Sequence, residues 1–371
     1  MRALASVNVA AIERNVASLK RHAEKSILCA VVKGNGYGHG STAAANASIV
    51  GGATWLAVAT APEAQSLRAD GIDAPVLVMG ALTDAELQLA LSAKADVVVW
   101  SEEFLSRAAA LGGARLHIKL DTGMGRLGTR DTKLATQLVT DAAGDARCDL
   151  VGLMTHFATA DERGDEFFGQ QLARFSNWTD QAMQLQPGLL RHAANSAALL
   201  RDGASHFDMV RPGIACYGLD PFGVGAAEQG LEPALSLHSY VAAIDDCAPG
   251  ESAGYGRTFI AEKQTRIATV PIGYGDGWGR HFSNNADLLI AGKRYPVVGN
   301  VSMDNVTVDL GMDSVELGVP VTLIGADGGQ MVDAEELAQR AATINYEIVT
   351  VISNRVQRRY HRDGLELDGG S

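Results

Sequence analysis

A single lysine, Lys33, lies in the stretch AVVKGNGYGHG (30–40), directly after an apolar run and among four glycines. Burial and nearby cations lower the pKa of a lysine, and the neutral amine is a nucleophile that can form a Schiff base with a carbonyl group. The glycines would let backbone N–H groups approach a phosphate. Taken alone, Lys33 is equally compatible with a solvated surface position.

Short apolar runs recur along the first two thirds of the chain, separated by longer segments of helical composition. Several of these segments begin with Ser, Thr or Asp, which are preferred helix N-caps. Alternating strands and helices predict parallel pairing through right-handed crossovers. The eight runs are residues 27–32, 54–60, 75–80, 96–100, 116–121, 150–156, 189–195 and 207–213. Their number and their span predict an α/β fold, a (β/α)8 TIM-like barrel.

A doubly wound open sheet is the alternative, because a strand count from one sequence can be wrong by one. The glycine pattern GNGYGHG does not have the GxGxxG spacing of dinucleotide-binding folds. The barrel is therefore favoured over the open sheet.

Polar residues that interrupt the apolar runs fall at the carboxyl ends of the predicted strands, which meet at one face of a barrel. They are Lys33, Lys119, Asp121, His156, Asn195, Ser196 and Arg211. Each has a simpler explanation alone, such as a core histidine or a loop-anchoring arginine, but their shared position favours a site. Barrel phosphate sites commonly use the loops after the last two strands. A lysine and a phosphate site together indicate pyridoxal phosphate, whose ring is an electron sink.

After about residue 230 the pattern changes to short alternating runs separated by Gly, Asn and Asp, which predicts a mainly antiparallel β domain. One helix is predicted at VDAEELAQRAA (332–342), near Asp333. The predicted domains are a barrel over residues 1–230 and a β domain over residues 231–371.

The composition argues against several classes of protein. The net charge is −12 and no basic block is present, which disfavours a nucleic-acid partner. No apolar stretch reaches the roughly 18 residues of a membrane span, and the N-terminus lacks a signal-peptide pattern. The four cysteines have neither metal-ligand spacing nor a paired pattern, so no metal site is predicted and a reducing cytoplasm is expected.

Eight segments of the chain closely resemble the motifs of alanine racemases, in order and along nearly its whole length. They are AVVKGNGYGHG (30–40), KLDTGMGRLG (119–128), MTHFATAD (154–161), HAANSAAL (192–199), VRPGIACYG (210–218), AGYGRTF (253–259), IGYGDG (272–277) and GNVSMDN (299–305). The resemblance implies an N-terminal barrel, a C-terminal β domain, and a head-to-tail homodimer with two shared active sites.

The resemblance also implies a two-base mechanism. Lys33 resembles the lysine that holds the cofactor as an internal aldimine and handles the α-proton of the D-isomer. Tyr255 looks like the second base, contributed by the partner subunit, which acts on the L-isomer. A free tyrosine titrates near about pH 10, so His156 beside Arg211 would have to favour its ionisation. Arg211 would face the pyridine nitrogen, and because arginine keeps its proton, the weakened electron sink disfavours a decarboxylase.

The remaining motif positions are assigned by the same resemblance. The expected phosphate ligands are Tyr37, Ser196, Gly213, Ile214 and Tyr360. The residues expected to tie the ring face to Arg211 are Asn195 and His156. Those expected near the substrate carboxylate are Arg126, Met303 and Asp304, and those of the entryway are Tyr274 and Arg280. Lys119 resembles a lysine that is carbamylated in many relatives and then holds Arg126.

One position departs from the family pattern. Asn300 stands where many relatives carry an arginine in the substrate corridor, so the resemblance implies nothing about substrate access at this point. The main hypothesis is an alanine racemase that supplies D-alanine for peptidoglycan, and the alternative is a serine or broad-specificity racemase. A non-catalytic cofactor-binding barrel is disfavoured, because such proteins lack the C-terminal domain that carries Tyr255.

Overall fold

The computed structural model describes residues 2–367. Eight parallel strands close into a barrel, in which the first strand pairs with both the second and the eighth. In chain order they are Ile27–Val31, Trp55–Val58, Val76–Val78, Asp96–Val99, Ala114–Lys119, Cys148–Met154, Leu190–His192 and Met209–Val210. Each strand overlaps one of the eight predicted runs, so the barrel is confirmed and the open sheet is wrong.

Several helices of the first two thirds begin at polar residues whose side chains cap them. Thr60 and Thr83 form capping boxes with glutamates, and Asp131 accepts two backbone N–H groups at the start of its helix. The α-helices are Val9–His22, Ser41–Val50, Ala61–Ala69, Asp84–Ser92, Glu102–Leu111, Thr132–Gly144, Phe167–Leu185 and Ser196–Arg201, with 3-10 turns at Gly203–Ser205 and Ile214–Tyr217. Within residues 2–367, no helix combines the length and the apolarity that crossing a membrane requires.

The C-terminal part is a mainly antiparallel sheet of eleven strands. Its strands are Leu4–Asn8, Leu235–Tyr240, Ala243–Cys247, Thr265–Val270, Asp287–Ile290, Lys293–Val298, Val306–Asp309, Pro320–Asp327, Gln330–Val332, Gln357–Arg362 and Leu365–Glu366. A separate ribbon pairs Ser252–Ala253 with Phe259–Ile260. The helices are Ala334–Ala341 and Asn345–Thr350, with 3-10 turns at Ala226–Gln229, Tyr274–Asp276 and Arg280–Phe282. Asp333 caps the first of these helices, as predicted.

The N-terminal strand Leu4–Asn8 belongs to the C-terminal sheet. It lies between Leu235–Tyr240, with which it is antiparallel, and Gln357–Arg362, with which it is parallel. The compact units are therefore residues 12–37 with 41–222, and residues 2–11 with 38–40 and 223–367. This differs from the predicted division at residue 230, because the backbone of this first strand completes a ladder between two strands that come more than 200 residues later.

Candidate active site

The glycines around Lys33 form a left-handed turn directly after the first barrel strand. Gly34, Asn35, Gly36 and Tyr37 have φ values of 62°, 54°, 60° and 50°. Glycine adopts this conformation readily and asparagine tolerates it, which explains the sequence KGNGY. The Gly34 N–H donates to Glu63 Oε1 at 2.7 Å, so the helix that begins at Ala61 helps to fix the turn. The turn leaves Lys33 half-buried at the barrel mouth.

Tyr37 and Ser196 converge on the backbone at Gly213. A Cβ atom added to Gly213 would lie 2.4 Å from the Tyr37 hydroxyl, so the phenol occupies the space of the missing side chain. The Ser196 hydroxyl accepts from Gly213 N at 2.9 Å and from Ala215 N at 3.3 Å. Two hydroxyls and the start of the 3-10 turn at Ile214 are thus grouped, an arrangement suited to an anion. Four of the five predicted phosphate ligands lie together here.

Arg211 follows the eighth barrel strand and is buried, with 2% of its surface exposed. Its Nη1 donates to His192 Nδ1 at 2.8 Å, and its Nη2 donates to the carbonyl groups of Thr155 and Ala193 at 2.8 and 3.1 Å. Among the described residues, the Nε–H group has no hydrogen-bond acceptor. Burial lowers the pKa of Arg211 to about 10, which still leaves it charged at neutral pH.

Lys119, Arg126 and Lys33 add positive charge near Arg211. Lys119 ends the fifth barrel strand with 5% of its surface exposed, and its pKa falls to about 8 through burial and the charges of Arg211 and Arg126. Burial, and then Arg126, lowers the pKa of Lys33. Repulsion between cations thus adds to desolvation, and both lysines become more readily neutral.

Among the described residues, neither His156 nor Asn195 forms a hydrogen bond with Arg211, although the charge of Arg211 acts on His156. The hydrogen bonds of Arg211 go to His192 and to the carbonyls of Thr155 and Ala193, and the roles expected of His156 and Asn195 stay a prediction. The Asn195 side chain caps the helix that follows it, accepting from Ala198 N at 3.0 Å. Burial and the charge of Arg211 hold the pKa of His156 well below its ordinary value, so its ring is neutral at pH 7.

Tyr255 lies on the turn of the two-stranded ribbon, and 71% of its surface is exposed in the single chain. Its backbone pairs with Asn300 in an isolated antiparallel bridge, and Asn300 Nδ2 donates to the Tyr255 carbonyl at 2.6 Å. Gly254 and Gly256 have positive φ values, and added Cβ atoms would lie 3.1 and 3.2 Å from Asn300 atoms. The residue that departs from the family pattern therefore fixes the backbone of the predicted second base.

Met303 and Asp304 are held beside the turn that carries Tyr274. Tyr274 N donates to Ser302 O at 3.1 Å, and Gly275 N donates to Met303 O at 3.0 Å. Met303 and Tyr274 are exposed to 51% and 42%, and Arg280 is also exposed. The Asp304 carboxylate accepts from Arg355, and Arg2 and Arg355 also pair with the buried Asp276.

Tyr360 lies on the strand Gln357–Arg362 and is half-buried, and burial raises the pKa of its phenol. Its hydroxyl fills the space beside Gly40, where an added Cβ atom would lie 1.9 Å from the oxygen. Tyr360 belongs to the compact unit that includes residues 38–40, whereas Tyr37 and Ser196 belong to the other unit.

Several residues that shape the site were not found from sequence. His192 bonds Arg211, Arg355 bonds Asp304, Glu63 bonds the turn that follows Lys33, and Asp276 pairs with Arg355; none of these four residues is singled out by the sequence. His192 stands in a predicted strand and begins the motif HAANSAAL (192–199), and a histidine in an otherwise apolar run is the available signal. The ion pairs of Asp276 join residues far apart in the chain, and no spacing rule indicates them.

Two family descriptions match this chain. "Alanine racemase, N-terminal domain" covers residues 7–221, and "Alanine racemase, C-terminal domain" covers residues 234–360. The chain belongs to the alanine racemase family. The predicted enzyme class, an amino-acid racemase and thus an isomerase, is confirmed.

Individual alanine racemases match over almost their whole length. The chain is 42% identical to alanine racemase of Halalkalibacterium halodurans, with 96% of this chain and 95% of that protein covered. It is 39% identical to alanine racemase 1 of Bacillus subtilis, with 98% and 94% covered. The crystal structure of alanine racemase from Bacillus anthracis with bound L-Ala-P matches with a TM-score of 0.92 at 38% identity, covering 99% of this chain and 97% of that one.

The left-handed turn at Lys33 yields a prediction from two matched glycines. Gly34→Ala and Gly36→Ala both introduce a side chain at a φ near +60°, which costs about 1 kcal/mol. Only at Gly36 would the new Cβ also lie 3.0 Å from Ala44 Cβ, whereas at Gly34 it meets open space. Gly36→Ala should therefore lower the midpoint of thermal unfolding more than Gly34→Ala does. Equal midpoints in the two variants would contradict the turn geometry.

Proposed function

We propose that this racemase interconverts L- and D-alanine with pyridoxal 5'-phosphate held at Lys33, and that its product supplies D-alanine for peptidoglycan. When bound, the cofactor supplies an electron sink that acidifies the α-proton of an amino acid. The observation that carries the proposal is that Lys33, whose pKa is lowered, and the buried Arg211 both lie at the same mouth of the barrel.

The residues present fit this cofactor. The Lys33 amine is more readily neutral than that of an ordinary lysine, as covalent attachment requires. The unbonded Arg211 Nε–H would donate to the pyridine nitrogen, and Tyr37, Ser196 and the N–H of Ile214 would hold the phosphate. Because arginine keeps its proton, the ring nitrogen would stay unprotonated, which favours proton exchange over decarboxylation. Tyr360 and Asn195 remain proposed contacts of the cofactor.

Two bases on opposite faces of the substrate explain the reversal of configuration. Lys33 would move the α-proton of D-alanine, and Tyr255 that of L-alanine. Because the ring of His156 is neutral, it can hydrogen-bond to the Tyr255 phenol but cannot supply a positive charge. The positive charge that favours ionisation of Tyr255 would therefore come from Arg211. The substrate carboxylate would be bound by Arg126 together with Met303 and its neighbour Asp304.

A homodimer with shared sites accounts for the exposure of the C-terminal residues. Tyr255, Met303 and Tyr274 are large side chains exposed to 71%, 51% and 42% in the single chain. We propose that they enter the site of the partner subunit, with Tyr274 and Arg280 at its entryway. A cytoplasmic location, where L-alanine is available, remains part of the proposal.

Mixed dimers test the function and the shared site together. Lys33→Ala should lose the visible absorbance of the lysine-bound cofactor and all racemisation, while Tyr255→Phe should keep the absorbance and lose abstraction from L-alanine. Mixing the two inactive variants should restore activity, because half-and-half dimers contain one intact site. No recovery on mixing would contradict the shared site.

A chiral assay that compares the turnover of L-alanine with that of L-serine distinguishes an alanine racemase from a racemase of broader specificity.

The contact between Asn300 and Tyr255 predicts a positioning effect. Asn300→Ala removes one hydrogen bond to the Tyr255 carbonyl, worth about 1 kcal/mol, so kcat should fall about fivefold with the cofactor absorbance unchanged. Asn285→Ala is the matched control, because within residues 2–367 its side chain also donates to backbone carbonyls, those of His281 and Arg340. An equal kcat for both variants would show that this contact does not position Tyr255.

Lys119 carries a pH prediction. Carbamylation joins carbon dioxide to the neutral amine and releases a proton, and a pKa of about 8 means that the neutral form increases as the pH rises through that value. The carbamate signal in carbon-13 NMR with labelled bicarbonate should therefore grow as the pH rises from neutral to mildly alkaline, and Lys119→Met should lack it. A wild-type spectrum without this signal at every pH would refute the carbamate.

A further inference from the structure

A continuous line of hydrogen bonds runs from Arg211 through the inside of the barrel. Arg211 Nη1 meets His192 Nδ1 at 2.8 Å, His192 Nε2 meets His117 Nδ1 at 2.8 Å, and His117 Nε2 meets Asp96 Oδ2 at 3.1 Å. His117 and His192 are fully buried, and Asp96 is 1% exposed. Asp96 starts the fourth barrel strand and His192 ends the seventh, so the line runs between opposite ends of the barrel.

The direction of every hydrogen bond in this line follows from the donor at one end and the acceptor at the other. A guanidinium only donates, so His192 Nδ1 must accept and His192 must carry its proton on Nε2. The His192 Nε2–H group donates a hydrogen bond to His117 Nδ1, so His117 must also carry its proton on Nε2. The His117 Nε2–H group in turn donates a hydrogen bond to the Asp96 carboxylate. Both imidazoles are therefore neutral, and each bond has one proton.

The surroundings are built to hold the two rings. The His117 and His192 rings meet edge to face with centroids 4.9 Å apart, and Trp55 packs edge-on against His117 at 5.9 Å. An added Cβ atom at Gly152 would lie 2.5 Å from His117 Nδ1, so glycine at this position leaves room for the ring. Burial, followed by the charge of Arg211, holds the pKa of His192 well below its ordinary value, in agreement with a neutral ring.

We propose that Asp96, which also forms a direct ion pair with Arg115 (Nε to Oδ1, 2.9 Å), acts in addition as the counterion of Arg211, and that the neutral His117 and His192 transmit this interaction by polarised hydrogen bonds. A buried guanidinium without a direct carboxylate partner is costly, and chains of hydrogen bonds polarise one another in a low dielectric. The three residues are positioning residues, since they act through Arg211. This inference rests on the proposed function in one respect, namely that Arg211 faces the cofactor ring.

The tautomers of the histidines give a test that does not depend on activity. Nitrogen-15 NMR of the holoenzyme labelled at histidine, assigned with His117→Gln and His192→Gln, should show both rings with the proton on Nε2, and the His192 ring should stay neutral from about pH 6 to about pH 9. Either ring with its proton on Nδ1, or a His192 ring that titrates in this range, overturns the proposal. This spectrum can be recorded even if the chain fails to racemise alanine, an outcome that would refute only the proposed function.

The charge of Asp96 is tested by an isosteric variant. Asp96→Asn keeps an oxygen acceptor for His117 but removes the charge, so kcat should fall about tenfold or more with little change in KM, since displacing a group at the reacting atoms can cost about a hundredfold. The control is Asp149→Asn, because Asp149 is an exposed carboxylate that shares Arg115 with Asp96. Its kcat should stay within about twofold of wild type. A wild-type kcat for Asp96→Asn overturns the proposal, and if that variant does not fold, the wild-type tautomers decide.

Discussion

Arg211 keeps a charged guanidinium inside the barrel, and together with Arg126 it makes the barrel mouth unfavourable for further positive charge. Lys119 and Lys33 lie in the same desolvated region, and their pKa values fall because burial and neighbouring positive charge both disfavour the ammonium form. A site that is rich in cations and poor in water binds anions strongly. A phosphate, a substrate carboxylate and a lysine carbamate would each relieve part of the repulsion. The chemistry of the amine and the binding of anionic groups thus have one electrostatic origin.

The backbone at this end of the barrel is shaped to bring these groups close together. The left-handed turn at Gly34–Gly36 ends the first strand and sets Lys33 at the mouth. Gly213 has no side chain where the Tyr37 hydroxyl lies. In the C-terminal unit, the glycines on both sides of Tyr255 allow Asn300 to approach the ribbon closely. Glycine is used in each case where a side chain or a backbone must come nearer than a Cβ atom would permit.

The sequence was sufficient for the barrel, because its eight apolar runs and capped helices are local patterns. It was also sufficient to bring Lys33 and Arg211 to one face, since all strand ends of a parallel barrel meet there. It was not sufficient for the strand Leu4–Asn8, whose partners come more than 200 residues later in the chain. Nor could it indicate that His192 contacts Arg211, because side-chain contacts across a barrel depend on packing rather than on spacing.

The central claim is that desolvation and positive charge at the barrel mouth make the Lys33 amine nucleophilic. It is tested most directly by titrating the chain, freed of cofactor and labelled with carbon-13 at the lysine Cε atoms, with Lys33 assigned from Lys33→Ala. The account predicts that Lys33 loses its proton below the ordinary pKa of lysine, and that Arg126→Gln moves this pKa upward. A Lys33 that titrates at or above the ordinary value, unchanged by Arg126→Gln, would contradict it.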